Sequence, residues 1–310
     1  MAIVVIGNVF VDIKGFPHEK YIPGGRNSGG VITVHGGVGR NVAEDIANIE
    51  LHPKFVSLVD DTAQGEDVIK KLNCHKVSTD YVLMTKDGMG VWLAVFDETG
   101  DIVASISKRP DSSEMLRLIE EKGDEIFADC DSIIIEVCLD KDIVASVFRF
   151  AEKYEKKVFG VVANMSIAIQ RRDLIKKLDC FVCNLEEAEL LFISSFDSLS
   201  REELCDRLSE NVKNAKIPAM VVTLGGDGSV YASMDGDKGC CPAEKVIVRD
   251  TTGAGDAFCA GVSAGLTYGK TLAESVKIGT RLAASVITSP ENTCPRFLPK
   301  ELGLDVEIGE

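Results

Sequence analysis

The sequence predicts an α/β protein: a doubly wound, mainly parallel sheet with helices on both faces, plus a small accessory sheet. Three observations predict it. Short β-branched runs, apolar on both faces, recur at residues 3–6, 55–59, 133–137, 158–162, 181–183 and 219–223. That is the pattern of buried parallel strands. Amphipathic stretches of helical period lie between them, at 38–49, 66–72, 141–154, 186–192 and 202–214, and two more close the chain at 253–266 and 272–288. Finally, two segments break the rhythm, 14–35 and 90–107.

Taken in order, the run 3–6 starts the sheet, and Asp12 is expected at the end of that first strand, where a carboxylate can hold two adjacent hydroxyls or merely cap a turn. Segment 14–35 is rich in glycine, with Gly24-Gly25 and Gly29-Gly30. Segment 90–107 alternates like an exposed sheet around a turn at 97–101. Both read as strands of a lid over a cleft, the plainer alternative being an edge hairpin. The run 245–249 reads as one more strand, leading into the last two helices. No internal repeat, low-complexity tract or linker interrupts the chain, so one domain with a lid is expected over 1–310.

Composition narrows the function. The 310 residues carry 34 Lys and Arg against 49 Asp and Glu, a formal net charge of −15. A protein held to nucleic acid by phosphate contacts needs the opposite balance. No apolar run approaches the ~20 residues of a membrane span, and residues 1–7 read as a strand rather than an export signal. Ten cysteines without such a signal point to free thiols and a cytoplasmic setting. Cys180 and Cys183 form a lone CxxC in an apolar run, read as strand core rather than metal or redox chemistry. Cys240-Cys241 is likewise read as packing.

Several chemistries are missing. The chain has no GxxxxGK[ST], no GxSxG and no HExxH. Gly37-Val38-Gly39 and Gly253-Ala254-Gly255 both lack the third glycine of a dinucleotide fingerprint, having Val42 and Phe258 there. A nicotinamide-dependent dehydrogenase is thereby disfavoured. The strongest signal is DTTGAGDAF at 250–258. A Gly-Ala-Gly turn opening a helix exposes backbone N–H groups at the positive end of the dipole, an anion hole that glycines let a phosphoryl group approach. Asp256, in the first turn, stands where it can take the proton of an attacking hydroxyl. On residues alone, a helix cap explains Asp256 equally well.

The 250–258 string resembles the C-terminal signature of the ribokinase-like (PfkB) sugar and nucleoside kinases. Gly36-Gly37-Val38-Gly39-Arg40-Asn41 resembles their N-terminal GGxxxN signature, Asn184-Leu185-Glu186-Glu187 their NxxE motif, and residues 223–228 their TxGxxG nucleotide loop. The four occur in family order across nearly the whole chain. The resemblance implies a ribokinase-like fold, ATP and Mg²⁺, and a primary hydroxyl as acceptor. It implies Asp256 as catalytic base, with Gly253, Ala254 and Gly255 as the anion hole. Asn184 and Glu187 would organise the Mg²⁺–ATP phosphates, Glu187 through water. Thr223, Gly225 and Gly228 would hold the nucleotide. Asp250 and Thr252 fit the first part of a K⁺ site. Without the family, Asn184-x-x-Glu187 reads as a helix N-terminal box.

The substrate pocket is expected from Asp12, Gly37 and Asn41. The string 36–44, the VDIKG at 11–15 and the lid string 92–101 look like the pseudouridine kinases of this family. That implies pseudouridine as acceptor, with ribose, fructose or another nucleoside as the alternatives and a catalytically silent sugar-binding protein as the rival class. Asn8, Lys14 and Asn41 can meet a base with amide-like or charged groups, and Trp92, the only Trp, offers an aromatic face or plain packing. Alternating apolar residues in the lid allow pairing across a two-fold axis, hence a homodimer.

Overall fold

In the computed structural model, residues 2–196 and 199–306 are described; Met1 and residues 307–310, the two ends of the expected domain, lie outside them. The strands are β1 (Ile3–Ile6), β2 (Phe10–Pro17), β3 (Gly29–Gly36), β4 (Lys54–Asp60), β5 (Ser78–Thr85), β6 (Gly90–Phe96), β7 (Ile102–Lys108), β8 (Ser132–Glu136), β9 (Lys157–Val161), β10 (Cys180–Asn184), β11 (Ala219–Thr223), β12 (Ser229–Ser233) and β13 (Lys238–Cys241). The helices are α1 (Val38–Asn48), α2 (Ala63–Cys74), α3 (Ser113–Phe127), α4 (Lys141–Lys153), α5 (Met165–Ala168), α6 (Arg172–Ile175), α7 (Leu185–Phe192), α8 (Arg201–Ala215), α9 (Ala254–Thr267) and α10 (Leu272–Ile287).

Among the described residues, nine strands form the main sheet, in the order β13-β12-β11-β10-β9-β8-β1-β4-β5. Pairing is parallel from β11 to β5, and β12 and β13 add an antiparallel edge. All six expected parallel strands are present within a residue or so of their expected bounds. Their alternate side chains feed two cores. Val4 and Ile6 of β1 and Ile133 and Ile135 of β8 pack on one face with α3 and α4, whereas Ile3, Val5 and Ile134 pack on the other with α1, α9 and α10. Burial on both faces is what removes the polar alternation from these runs. Each fully buried Ile or Phe contributes about 1.5–3 kcal/mol.

The helices start where the chain supplies caps. Capping boxes at Asn184/Glu187, Ser200/Glu203 and Thr271/Glu274 open α7, α8 and α10. Helices α9 and α10 touch at glycine: a Cβ on Gly261 would lie 2.7 Å from Gly279 Cα. That closeness is why α9 is built from small residues.

The two segments that break the βα rhythm do form a separate four-stranded sheet, ordered β3-β2-β6-β7. Its register pairs Asp12 with Trp92 in parallel β2 and β6. Side chains alternate along a strand, so Asp12, Lys14 and Trp92 share one face. Leu93 and its partner Ile106 share the other, with Val31 opposite Gly15.

Three expectations are corrected, and four elements come unannounced. Asp12 does not end the first strand; β1 stops at Ile6, and Asp12 sits within β2 of the small sheet. Residues 245–249 are not a strand. They run irregularly along the wall of a cavity with Ile247 88% exposed, held at one point by Arg249 N–H donating to the Ile287 carbonyl. Cys240 is exposed rather than packed, since β13 is the edge strand, although Cys241 accepts from Thr280 Oγ1 at 3.5 Å. Finally, β5, β12, β13 and α3 carried no pattern strong enough to be expected. Cys180 and Cys183 are buried free thiols in β10, in keeping with strand core.

Candidate active site

The parallel strands β1, β8, β10 and β11 end on one edge of the sheet, and chain direction across the sheet reverses between β1 and β8. Ligands of open α/β sheets bind outside such a switch point. Here β1 runs into Asn8, whose N–H donates to Glu136 Oε2 at the end of β8 at 2.9 Å and whose Nδ2 donates to Oε1 at 3.3 Å. Glu136 is fully buried, and that burial raises its pKa. The Asn8 amide, expected to meet substrate, is thus engaged by a carboxylate that sequence reading did not single out; no local motif marks a partner 128 residues away.

Gly37 is the N-cap of α1, at φ 98°. A Cβ there would lie 2.4 Å from the Asn8 carbonyl oxygen, so only glycine lets α1 begin against this loop. One turn on, Asn41 is buried, and its Nδ2 donates to Asp256 Oδ2 at 2.6 Å. Arg40, fully buried, donates to Asn41 Oδ1 and to Glu44 Oε2.

Asp256 lies in the first turn of α9 and is partly buried. Among the described residues its carboxyl accepts from Asn41 Nδ2 and from no N–H of its own helix. Burial pushes its pKa up to about 7, against the Asn41 hydrogen bond and the Arg40 charge; Glu136 and Glu187 add to the rise. Such a group changes charge near neutrality, as a general base should. Gly253 precedes α9 at φ 83°, its would-be Cβ 2.0 Å from the Asn292 carbonyl oxygen. The N–H groups of Gly255 and Asp256 have no backbone acceptor among the described residues, and a Cβ on Gly255 would meet open space. Together they leave two unpaired donors at a helix N-terminus, a geometry that can receive an anion.

That turn opens on a cavity of about 870 Å³, whose lining includes Thr223, Gly225, Gly228, Thr251, Ala254 and Gly255. The irregular stretch through Val246 and Ile247 forms another part of its wall. Gly228 sits at φ 92° with a would-be Cβ 2.1 Å from the Cys241 carbonyl oxygen, which fixes the loop shape. Asn184 and Thr223 are register partners at the ends of β10 and β11, so the second and third motifs abut. Asn184 and Glu187 cap one another: each backbone N–H donates to the other's side chain at 2.8 Å. Glu187 Oε1 has no hydrogen bond among the described residues, and burial raises this carboxyl's pKa.

A second cavity of about 360 Å³ lies beneath the small sheet, lined in part by Lys14, His35, Asp250, Thr252 and Asn292. Thr252 N–H and Oγ1 both donate to Asp250 Oδ1 at 2.8 Å. Burial raises the pKa of Asp12, opposed by Lys14 and Arg40. The expected site residues therefore fall into two groups, one around the larger cavity and one around α1 and the small sheet, and Asp256 of α9 is tied to the second through Asn41.

A model of the pfkB family carbohydrate kinases matches residues 2–296. The chain is 35% identical to guanosine-inosine kinase of Exiguobacterium acetylicum over 94% of its own length and 95% of that protein's. It is 26% identical to pseudouridine kinase of Escherichia coli (strain K12), over 89% and 87% respectively. Among solved structures it resembles Arabidopsis thaliana ribokinase complexed with ribose and ATP, at a TM-score of 0.80 and 20% identity, covering 99% of this chain and 100% of that one.

Proposed function

The chain belongs to the pfkB family of carbohydrate kinases and is an ATP-dependent sugar or nucleoside kinase, and within that activity we propose that its acceptor is the 5′-hydroxyl of a nucleoside. The observation that carries this reading is the pairing of Asp12 with Trp92 on one face of the small sheet. A carboxylate for ribose hydroxyls beside an aromatic face on which a base can stack suits a nucleoside. Guanosine and inosine are the first candidates, because the relative at 35% identity acts on them by name. Pseudouridine is the second, favoured by the form of residues 36–44 and the relative at 26%.

Asp12 and Asn41 hold the sugar with its primary hydroxyl toward Asp256. The Asp256 carboxylate takes the hydroxyl proton as the oxygen bonds to the γ-phosphorus and the bond to the β-phosphate oxygen breaks, releasing ADP. The free N–H groups of Gly255 and Asp256 stabilise the charge on the transferring group. Gly253 gives this turn its shape. Thr223, Gly225 and Gly228 hold the nucleotide in the larger cavity. Mg²⁺ would neutralise the phosphates there, and the open Glu187 Oε1 suits an ion that keeps its waters. Asp250 and Thr252 would supply part of a K⁺ site. Residues 1–310 act as one kinase domain in the cytoplasm, with the four-stranded sheet as its lid. All ten cysteines being free thiols fits that setting, and among the described residues no helix is long and apolar enough to cross a membrane. The exposed lid face bearing Val31 and Ile106 would pair two copies.

ATP consumption with Mg²⁺, with and without K⁺, over guanosine, inosine, pseudouridine, uridine, ribose and fructose tests the reading. Asp256→Asn runs beside it and should lose at least ~10²-fold in kcat. Turnover confined to ribose or fructose would overturn the nucleoside assignment, and near-normal turnover by Asp256→Asn would remove the base.

A further inference from the structure

We propose that Arg40 is a positioning residue for phosphoryl transfer: its buried guanidinium holds the Asn41 carboxamide with Nδ2 turned toward Asp256 and sets a fixed positive charge beside that carboxylate. The proposal rests on the kinase reading of Asp256.

Arg40 is 0% exposed, and a cation that deep needs partners on every side. Nη1 donates to Glu44 Oε2 at 2.5 Å, one helical turn on. Nη2 donates to the His35 carbonyl at 2.6 Å and to Asn41 Oδ1, and Nε reaches the Gly36 carbonyl at 3.4 Å. The planar fork thus ties the last residues of β3 to the first turn of α1 and fixes the side chain of the next residue. Asn292 Nδ2 donates to the same Oδ1 at 3.3 Å. With two donors on that oxygen, a flipped amide would set N–H against N–H. The Asn41 Nδ2 has only the Asp256 side to face, and it donates there at 2.6 Å.

Charge points the same way. Facing Asp256 from α1 are Arg40 and the buried Asp45; from the end of β8, Glu136; from α7, Glu187; from its own helix, Cys259. Arg40 is the one positive group among them, and together with the Asn41 hydrogen bond it offsets the neighbouring carboxyls. Glu44 balances Arg40 without cancelling it, because Lys71 of α2 approaches Glu44 Oε1 at 3.6 Å and shares its charge.

The test separates positioning from plain structural support. Removing both partners, Arg40→Met with Glu44→Gln, leaves no unpaired buried charge. Arg40→Lys keeps the charge and loses the fork. Two readouts apply: the carboxyl ¹³C titration of Asp256, assigned by its loss in Asp256→Asn, and pH profiles of kcat and KM on the best nucleoside. In the double variant the Asp256 midpoint and the acid limb should both rise by about 1 pH unit, as when a nearby opposite charge is lost. In Arg40→Lys the midpoint should stay while the nucleoside KM rises about tenfold, the scale of one lost hydrogen bond. A folded double variant with an unmoved midpoint and kcat lowered evenly at every pH would overturn the proposal. If the double variant does not fold, an unchanged KM in Arg40→Lys overturns it. Wild-type protein that transfers no phosphoryl would instead remove the kinase reading, and the titration would still decide the place of Arg40.

Discussion

Asn41 Nδ2 and Asp256 Oδ2 stand 2.6 Å apart, joining α1 to α9 across 215 residues of sequence. The residue expected to hold the acceptor and the one expected to deprotonate it therefore touch before any ligand enters. One hydrogen bond fixes both side chains, and it opposes the burial that raises the Asp256 pKa.

That raised pKa sets a pH dependence for activity and for stability. With Asp256 near 7, the base is ionised only above neutrality, so kcat should climb through about pH 7. An unfolded Asp ionises near ~3.9. Between those values the folded protein binds more protons, so this group costs stability as pH rises from ~4 to ~7. Asp256→Asn removes the cost. Its melting temperature should exceed that of wild type at pH 8, and the gap should close toward pH 4. Equal melting at pH 8 would contradict the burial argument.

Two glycines of the turn should respond in opposite ways. Alanine at Gly253 meets a positive φ and the Asn292 carbonyl oxygen at 2.0 Å, a strain of roughly 1–3 kcal/mol. Alanine at Gly255 meets open space in the first turn of α9, where it should hold or raise stability by about 0.5–1 kcal/mol while its methyl crowds the phosphoryl position. Thermal melts with kinetics on both variants check this. A stable, fully active Gly255→Ala would remove that residue from the anion hole.

Glu187→Gln should fold normally, because a glutamine oxygen can still accept the Asn184 N–H in the capping box. Its demand for Mg²⁺ should rise about tenfold, as a positioned carboxylate that gathers metal-bound waters is lost. Titrating activity against Mg²⁺ at fixed ATP measures the shift, and an unchanged Mg²⁺ curve would leave Glu187 a helix cap only.

The small sheet exposes Ile106 at 70% and Val31 at 71% on the face away from Asp12. If that face pairs two copies, wild type should sediment as a dimer and Ile106→Lys as a monomer, because a lysine pair across the two-fold costs both desolvation and repulsion. A monomeric wild type at micromolar concentration would dispose of the dimer.

Much of this was legible in the chain because it is locally determined. The run at 3–6 is apolar on both faces and can only be a buried strand. Gly253, Gly255 and Asp256 announce a glycine turn opening a helix, because backbone conformation at a helix start is a matter of a few neighbouring residues. The 245–249 run misled for the same reason: its β-branched residues satisfy a local rule, yet in the fold they line a cavity instead of pairing with the edge strand β13. Strands β12 and β13 stayed hidden because an antiparallel edge carries weak patterning.

What the sequence determined by itself is the α/β class and the family signatures, both carried by residues adjacent in the chain. What only the tertiary structure decided is who meets whom: Asp12 beside Trp92 in the small sheet, Asn8 on Glu136, and Arg40 between Glu44 and Asn41. Strand register depends on distant pairings, and a buried charge depends on whichever partners the packing brings within reach. Neither is written in any single stretch of residues.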